Sequence, residues 1–373
     1  MAVSEGTNLL KAMNRDAKRL KKRRGLWLVS SALSFLCCVT LVMSFGWHKD
    51  YQIVAPGPRV GNKASSLGAL KEKGFPFSFL VMGDPMGSPT ATLLMRRAIK
   101  EGPASFMVIL GDLMYEPDIR FHRYFMSTLT KEVNPPFPVF LVPGNHDINY
   151  NGRKKIASEW SITPERYDSL YGSRNFDFVF NDCLFIMCGI DERDREGYLG
   201  FLRETLSQKG KGRKHIFIFM HAPPSDIGIP DFYPFPGQEA FFSLLENYRV
   251  TSCFFGDHHG YWRVERKGTN LIVSGGGGGS LKKIQSEWGK FHHLLRITVD
   301  ENGFSEGMMI SPGTVVDIRR TLKKGMFIHF FPIIKDRGWI LYVLFLCFLA
   351  WGISSVIIFS RLVKETKMNI KLT

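Results

Sequence analysis

Five short polar clusters interrupt the apolar runs of this chain: Gly83-Asp84-Pro85-Met86, Gly111-Asp112-Leu113-Met114-Tyr115, Gly144-Asn145-His146-Asp147, Met220-His221 and Gly256-Asp257-His258-His259. Each stands at or just beyond the C-terminal end of an apolar run, and each carries a carboxylate, an amide or an imidazole. Those groups are ligands for divalent cations, and imidazole and carboxylate also move protons in catalysis. A turn in which Asp or Asn caps a helix accounts for any one cluster. Five in succession with the same donor types need another explanation.

The elements that position the clusters are legible as patterns. Short apolar runs at residues 77–82, 106–110, 138–142, 176–180, 183–188, 215–220, 252–255, 271–274 and 294–299 predict strands, several buried on both faces. Helix-length stretches at 90–101, 121–132, 197–208 and 238–248 lie between several of them. Strand and helix alternate, which predicts a layered α/β domain. Clusters at the carboxyl ends of the strands are where open α/β sheets place their sites.

In order and residue type the clusters resemble the calcineurin-like metallophosphoesterase family, whose loops run as D-x-H, GDxx(D/Y), GNH(D/E), H and GHxH. The resemblance covers about residues 77–299; "GDLMY" and "GNHD" are close matches, with Asp112 and Asn145 33 residues apart. It implies two packed mixed β-sheets flanked by helices and a pair of metal ions with a phosphate bound across both. Asp112 would bridge the ions, Asp84 and His259 would bind the first, and Asn145 and His221 the second. His146 would face the substrate and protonate the leaving oxygen, with Asp147 orienting it; the plainer reading of Asp147 is a loop cap.

Two positions depart from the pattern. Met86 replaces the first-motif His, and its thioether is a soft, weak ligand that packs more readily than it coordinates. The purple acid phosphatase branch lacks that His too and uses the tyrosine of GDxxY, which makes Tyr115 a candidate ligand; water in the position, or Tyr115 as packing, are the alternatives. Asp257 replaces the first His of GHxH, shifting the ligand set toward oxygen, and His258 is the alternative ligand if the loop is offset. With His221 and His259 as the nitrogen donors, Mn or Fe is favoured, with Mg or Zn also admissible. Gly275 to Gly279 form either a flexible loop or a row of amide donors for phosphate.

Segments 26–47 and 339–360 contain no Asp, Glu, Lys, Arg or His, and each is long enough to cross a bilayer. The net charge is +15, of which the first 24 residues carry about +6 and the last 13 about +3. Basic residues on the outer side of both segments place both termini in the cytoplasm and the domain outside it, in the periplasm, the lumen or the extracellular space. The expected organisation is a basic tail at 1–25, a transmembrane helix at 26–47, a linker at 48–74, the phosphoesterase domain at 75–310, a linker and interfacial segment at 311–338, a transmembrane helix at 339–360 and a basic tail at 361–373. Cys37, Cys38 and Cys347 fall in the spans, and Cys183, Cys188 and Cys253 show no disulfide or zinc-finger spacing. The basic stretch 209–214 reads as a solvated turn, with anionic headgroups as the alternative partner.

The expected function is a membrane-anchored hydrolase of phosphoesters: phosphodiester, phosphomonoester or pyrophosphate. Anchoring at both ends motivates a lipid or lipid-linked substrate, and no nucleic-acid partner is expected. A degenerate phosphoesterase domain serving as a binding or scaffolding module is the competing reading, motivated by Met86 and Asp257.

Overall fold

The computed structural model describes residues 2–53, 55–191, 193–229, 235–281 and 289–371. Met1 and residues 372–373, the ends of the two expected tails, lie outside it. The chain divides into two compact units, one from Ile53 to Ile328 and one made of the residues up to Gln52 with those from His329 onward.

Among its described residues the larger unit has eleven strands: β1 Phe77–Met82, β2 Met107–Ile109, β3 Val139–Leu141, β4 Phe176–Phe180, β5 Cys183–Met187, β6 His215–Met220, β7 Ser252–Phe255, β8 Tyr261–Arg266, β9 Thr269–Ser274, β10 His292–Val299 and β11 Phe304–Ser311. They form two mixed sheets, ordered β11-β10-β1-β2-β3 and β4-β5-β6-β7-β9-β8. In the first, β1, β2 and β3 are parallel, with β10 antiparallel to β1. In the second, β5, β6, β7 and β9 are parallel, and β4 and β8 close the edges antiparallel.

Side-chain alternation explains why the sheets stack. Along β6, Phe217 and Phe219 point into a core shared with Phe79, Phe106 and Phe140 of the facing sheet and with Phe185 of the neighbouring strand β5. Ile216, Ile218 and Met220 point the other way, onto Tyr198, Leu202, Phe241 and Leu245 of helices Gly197–Thr205 and Gln238–Asn247. A strand apolar on both faces is the signature of a sheet covered on both sides. The rings of the shared core touch with centroids 5.0 Å apart for Phe106 and Phe185 and 5.1 Å for Phe79 and Phe106, within the favourable range for aromatic pairs. Helix Pro89–Glu101 lies against β10 and β11, so helices flank both sheets.

The nine predicted strands are present, and β8 and β11 join them. Both are half-exposed edge strands in which charged, small or polar residues interrupt the apolar ones, leaving no apolar run longer than three residues. The stretch predicted as helix at 121–132 begins at Ile119, capped by Asp118, and ends in a wider-wound turn through Val133.

The smaller unit contains helices Ala2–Tyr51 and Trp339–Lys371, each with a stretch long and apolar enough to cross a membrane. Leu28, Phe35, Leu346 and Ile353 are among their exposed apolar side chains. The helices cross at small residues: Ser30 and Ser355 hydroxyls stand 3.0 Å apart, and Ser34 donates to the Phe348 carbonyl beside Gly352. Small residues and buried hydroxyls let helix backbones approach closely in an apolar medium.

Candidate metal centre

Six parallel strand ends converge on one point, and their loops are zipped together by main-chain bonds. Gly83, after β1, donates to Ser274 at the end of β9, 2.8 Å; Asp84 donates to Gly111, 3.1 Å; Gly256, after β7, donates to His221 after β6, 2.8 Å. A Cβ on Gly83 would stand 2.6 Å from the Ser274 carbonyl oxygen, so only glycine permits the two sheets to meet there. Asp84, Asp112 and Asp257, with Met86, adopt left-handed backbone at φ 54°, 53°, 59° and 50°. Aspartate tolerates that region, and a strand that turns abruptly through it aims the side chain back over the strand end.

The side chains these turns aim are almost all acceptors. One ligand atom each from Asp84, Asp112 and His259 lies within 4.8 Å of the others. His221 Nε2 is 3.0 Å from Asn145 Oδ1, 3.4 Å from Asp112 Oδ1 and 3.7 Å from Asp257 Oδ1. His259 Nε2 is 3.4 Å from Asp84 Oδ1. Both imidazoles have a fixed tautomer: Nδ1 of His221 donates to the Leu110 carbonyl and Nδ1 of His259 to the Ser280 carbonyl, each at 2.7 Å. In the neutral ring the Nε2 lone pair then faces the carboxylates, the arrangement second-shell carbonyls impose on metal-binding histidines.

Asp84 makes the need for a cation explicit. It is fully buried, and neither carboxylate oxygen accepts a hydrogen bond. Burial pushes its pKa up to about 6, despite His259 and His221 nearby. For His221 burial opposes protonation, but the carboxylates of Asp112, Asp84 and Asp257 outweigh it and raise the pKa to about 9. Lone pairs crowded this closely require protons or metal ions between them. The residues present therefore fit divalent cations.

Three sequence expectations change. Asp147 does not orient His146: it is buried, and its two oxygens accept from the Leu113 and Gly144 amides, both at 2.8 Å, tying the second polar loop to the third. His146 is held instead by the Tyr115 carbonyl, 2.7 Å from its Nδ1, and its own amide donates to Asp112 Oδ1 at 3.0 Å. Tyr115 thus serves through its main chain; its ring is 39% exposed and lies 5.1 Å from the Lys324 ammonium, on the rim and not among the buried acceptors.

The glycine run is the third. The amides of Gly275, Gly277 and Gly279 donate to the carbonyls of Gly260, Gly83 and Asp84, so they are not free for phosphate. A Cβ on Gly275 would meet Asp84 Oδ2 at 2.8 Å, and one on Gly279 would meet His259 Cε1 at 2.8 Å. The run is a packed wall behind the acceptors. Met86 is buried and packs, as its thioether suggested, and Asp257 is the residue of its loop that faces His221.

A family model described as calcineurin-like phosphoesterase matches residues 77–261. The domain belongs to the calcineurin-like phosphoesterase family. Its solved relatives are distant. The purple acid phosphatase PPD1 of yellow lupin (Lupinus luteus) is 15% identical over 66% of this chain and 53% of its own, with a TM-score of 0.48. GAP50, described as the anchor in the inner membrane complex of Plasmodium, is 15% identical over 65% of this chain and 86% of its own, TM-score 0.44. A dimetal phosphatase from Danio rerio is 14% identical over 62% and 98%, TM-score 0.45. This calcineurin-like chain thus spans about half the length of the lupin enzyme. Among curated proteins nothing matches the chain.

One feature of the site carries no signal in the sequence. A cavity of about 490 Å³ opens beside Asn145, His221 and Asp257 and is lined in part by Arg153 and Arg195. Both arginines sit in loops rich in other charges, where nothing distinguishes them from solvated surface.

Proposed function

We propose that this chain is a membrane-anchored, metal-dependent phosphoesterase whose ligands are Asp84, Asp112, Asn145, His221, Asp257 and His259. The observation that carries the proposal is the acceptor-only cluster around the orphaned carboxylate of Asp84. Two divalent ions held there would acidify a water and stabilise negative charge on the phosphoryl oxygens. Mn or Fe suits an oxygen-rich set with two imidazoles.

The chain's own contribution is positional. Asp112 accepts from the His146 amide, which fixes the third polar loop against the second. His146, with Nδ1 engaged by the Tyr115 carbonyl, presents Nε2 outward, where it donates a proton to the oxygen that leaves phosphorus. Asp147 keeps both loops in register from below.

The two apolar helices are proposed as spans at both ends of the chain, with termini in the cytoplasm and the domain outside it, on the strength of the flanking basic residues. Such anchoring brings lipid or lipid-linked phosphoesters within reach. A reporter active only outside the cytoplasm, fused near residue 200, should light up; silence would reverse the orientation.

Hydrolysis of bis(p-nitrophenyl) phosphate by the full chain with added Mn tests the activity. Turnover that falls to background in Asp112→Asn is the expected result. No turnover in the wild type, or full turnover in the variant, would favour a binding module over an enzyme.

A further inference from the structure

Helix Ile318–Gly325 of the larger unit is amphipathic in the opposite sense from a helix on a domain in water. Positions 320, 323, 324 and 327 follow the i, i+3, i+4, i+7 spacing that lines up one helix face, and a soluble domain fills such an inward stripe with apolar residues. Here the stripe reads Arg320, Lys323, Lys324 and, in the turn that follows, Phe327. All four are turned onto the domain. Lys323 is 3% exposed, and its ammonium donates to the Ser127 hydroxyl and to Glu132 Oε1, both at 2.8 Å. Arg320 Nε pairs with Glu132 Oε2 at 3.0 Å, and the Lys324 ammonium lies over the rings of Tyr115 and Phe121 at 5.1 and 5.8 Å. Phe327 is buried and meets Tyr124 edge-on at 5.8 Å.

The apolar residues are left on the outside. Ile318 and Leu322, one turn apart, are 75% and 44% exposed, and Val316, just ahead of the helix, is 86% exposed. Arg319 is exposed beside them. Rolling the helix over would bury Ile318 and Leu322 and return three cations to water, so with water alone in front of it the observed facing is the costlier one. The helix is nevertheless fastened from behind: Glu132 holds both Arg320 and Lys323, and Asp317 caps the first turn by accepting from the Arg320 amide at 3.1 Å. An apolar face held outward in this way calls for an apolar medium in front of it.

Size and connectivity select the medium. A specific protein partner takes about 800 Å² from each side, more than three apolar side chains on two helical turns provide. An interfacial helix needs only shallow insertion, about 5–10 Å into the headgroup boundary, with basic residues beside the apolar ones. Only residues 326–338 separate this helix from Trp339, where the long apolar helix Trp339–Lys371 begins. A bilayer crossed by that helix is met by this face as an intramolecular contact, for which weak affinity suffices.

We propose that Val316, Ile318 and Leu322, with Arg319, dock onto the headgroup layer of the bilayer and hold the phosphoesterase domain against it in one orientation. The inference rests on the membrane-anchored reading of the two apolar helices. The inner face of the docking helix touches Tyr115, whose carbonyl holds His146. Docking therefore keeps the proposed proton donor within about two helix diameters, on the order of 20 Å, of the lipid. That placement suits a phosphoester carried on a lipid headgroup.

The test places the photo-crosslinker p-benzoylphenylalanine singly at Ile318, Leu322 or Asn302 of the full-length protein, reconstituted in vesicles of phosphatidylcholine and phosphatidylglycerol. Asn302 is the control: it is exposed in the turn joining Val299 to Phe304, at the far end of the β10-β11 hairpin from Ser311, which leads toward the helix. After irradiation, mass spectrometry should find lipid adducts at 318 and 322 and none above background at 302. No adducts at 318 and 322, or equal adducts at 302, would overturn the docking face. A covalent dimer at 318 or 322 in place of lipid adducts would assign the face to a second copy and overturn it as well. Flotation of the vesicles after alkaline carbonate treatment separates this outcome from the anchoring reading. Protein that floats but gives no adducts refutes the docking alone, whereas protein stripped from the vesicles refutes the anchoring and the docking with it.

Discussion

His259 Nε2 faces Asp84 Oδ1 across 3.4 Å, and because Nδ1 of the ring donates to the Ser280 carbonyl, two lone pairs confront each other there. Asp84→Asn replaces one of them with a donor. Without metal the variant should be more stable than wild type by about 1–3 kcal/mol, the scale of the raised carboxyl pKa. With Mn the order should reverse, since a ligand is gone. Calorimetric scans with EDTA and with Mn read both arms.

His146→Gln should lower kcat by about 10²- to 10⁴-fold while metal content stays at the wild-type level, because the side chain reaches Tyr115 and not the acceptor cluster. Metal analysis beside the kinetics separates a lost proton donor from a lost ion.

Asp147→Asn should behave oppositely. One amide oxygen can still accept, but the amide nitrogen must face a backbone N–H of Leu113 or Gly144, leaving a buried donor unsatisfied at a cost of about 1–3 kcal/mol. The unfolding midpoint should drop, and kcat of the folded enzyme should change far less than in His146→Gln.

The pH dependence follows from three groups. Burial raises Asp84 to about 6, and burial followed by the neighbouring Asp112 raises Asp147 to about 8. His221, with burial outweighed by its carboxylates, rises to about 9. Each keeps a proton in the folded state that the unfolded chain has released. The stability they lend is therefore complete below their unfolded values and is lost as pH climbs through the folded ones. In EDTA the unfolding midpoint should decline from about pH 4 to 9. Metal displaces the protons of the ligands, so Mn affinity should rise over the same window. A midpoint in EDTA that is flat or rising between about pH 5 and 8 would contradict these shifts.

Gly275→Ala pushes a methyl group toward Asp84 Oδ2 and the His258 main chain, whereas Gly303→Ala meets nothing within 4 Å. The first should lose Mn binding, and the second should match wild type in metal titration.

The strands that carry the site were legible because a sheet covered on both faces demands unbroken apolar runs, as in Phe77–Met82 and His215–Met220. Strands β8 and β11 were not, since polar residues break an edge strand's apolar pattern, as in Trp262-Arg263-Val264-Glu265 and Ser305-Glu306-Gly307. Donor types could be read from the polar clusters, but donor partners could not. Nothing in "GNHD" tells that Asp147 bonds amides from two loops, or that a carbonyl 31 residues earlier in sequence holds His146. The glycine run looked like a loop because the carbonyls that crowd it come from Gly83, His258 and Phe291, distant in sequence.

Metal stoichiometry of the purified full chain tests the central claim most directly. After loading with Mn and removal of excess, elemental analysis should give two ions per chain, falling in Asp112→Asn because one carboxylate serves both. Less than one ion per chain in the wild type, or unchanged content in Asp112→Asn, would contradict a dinuclear centre built on these acceptors.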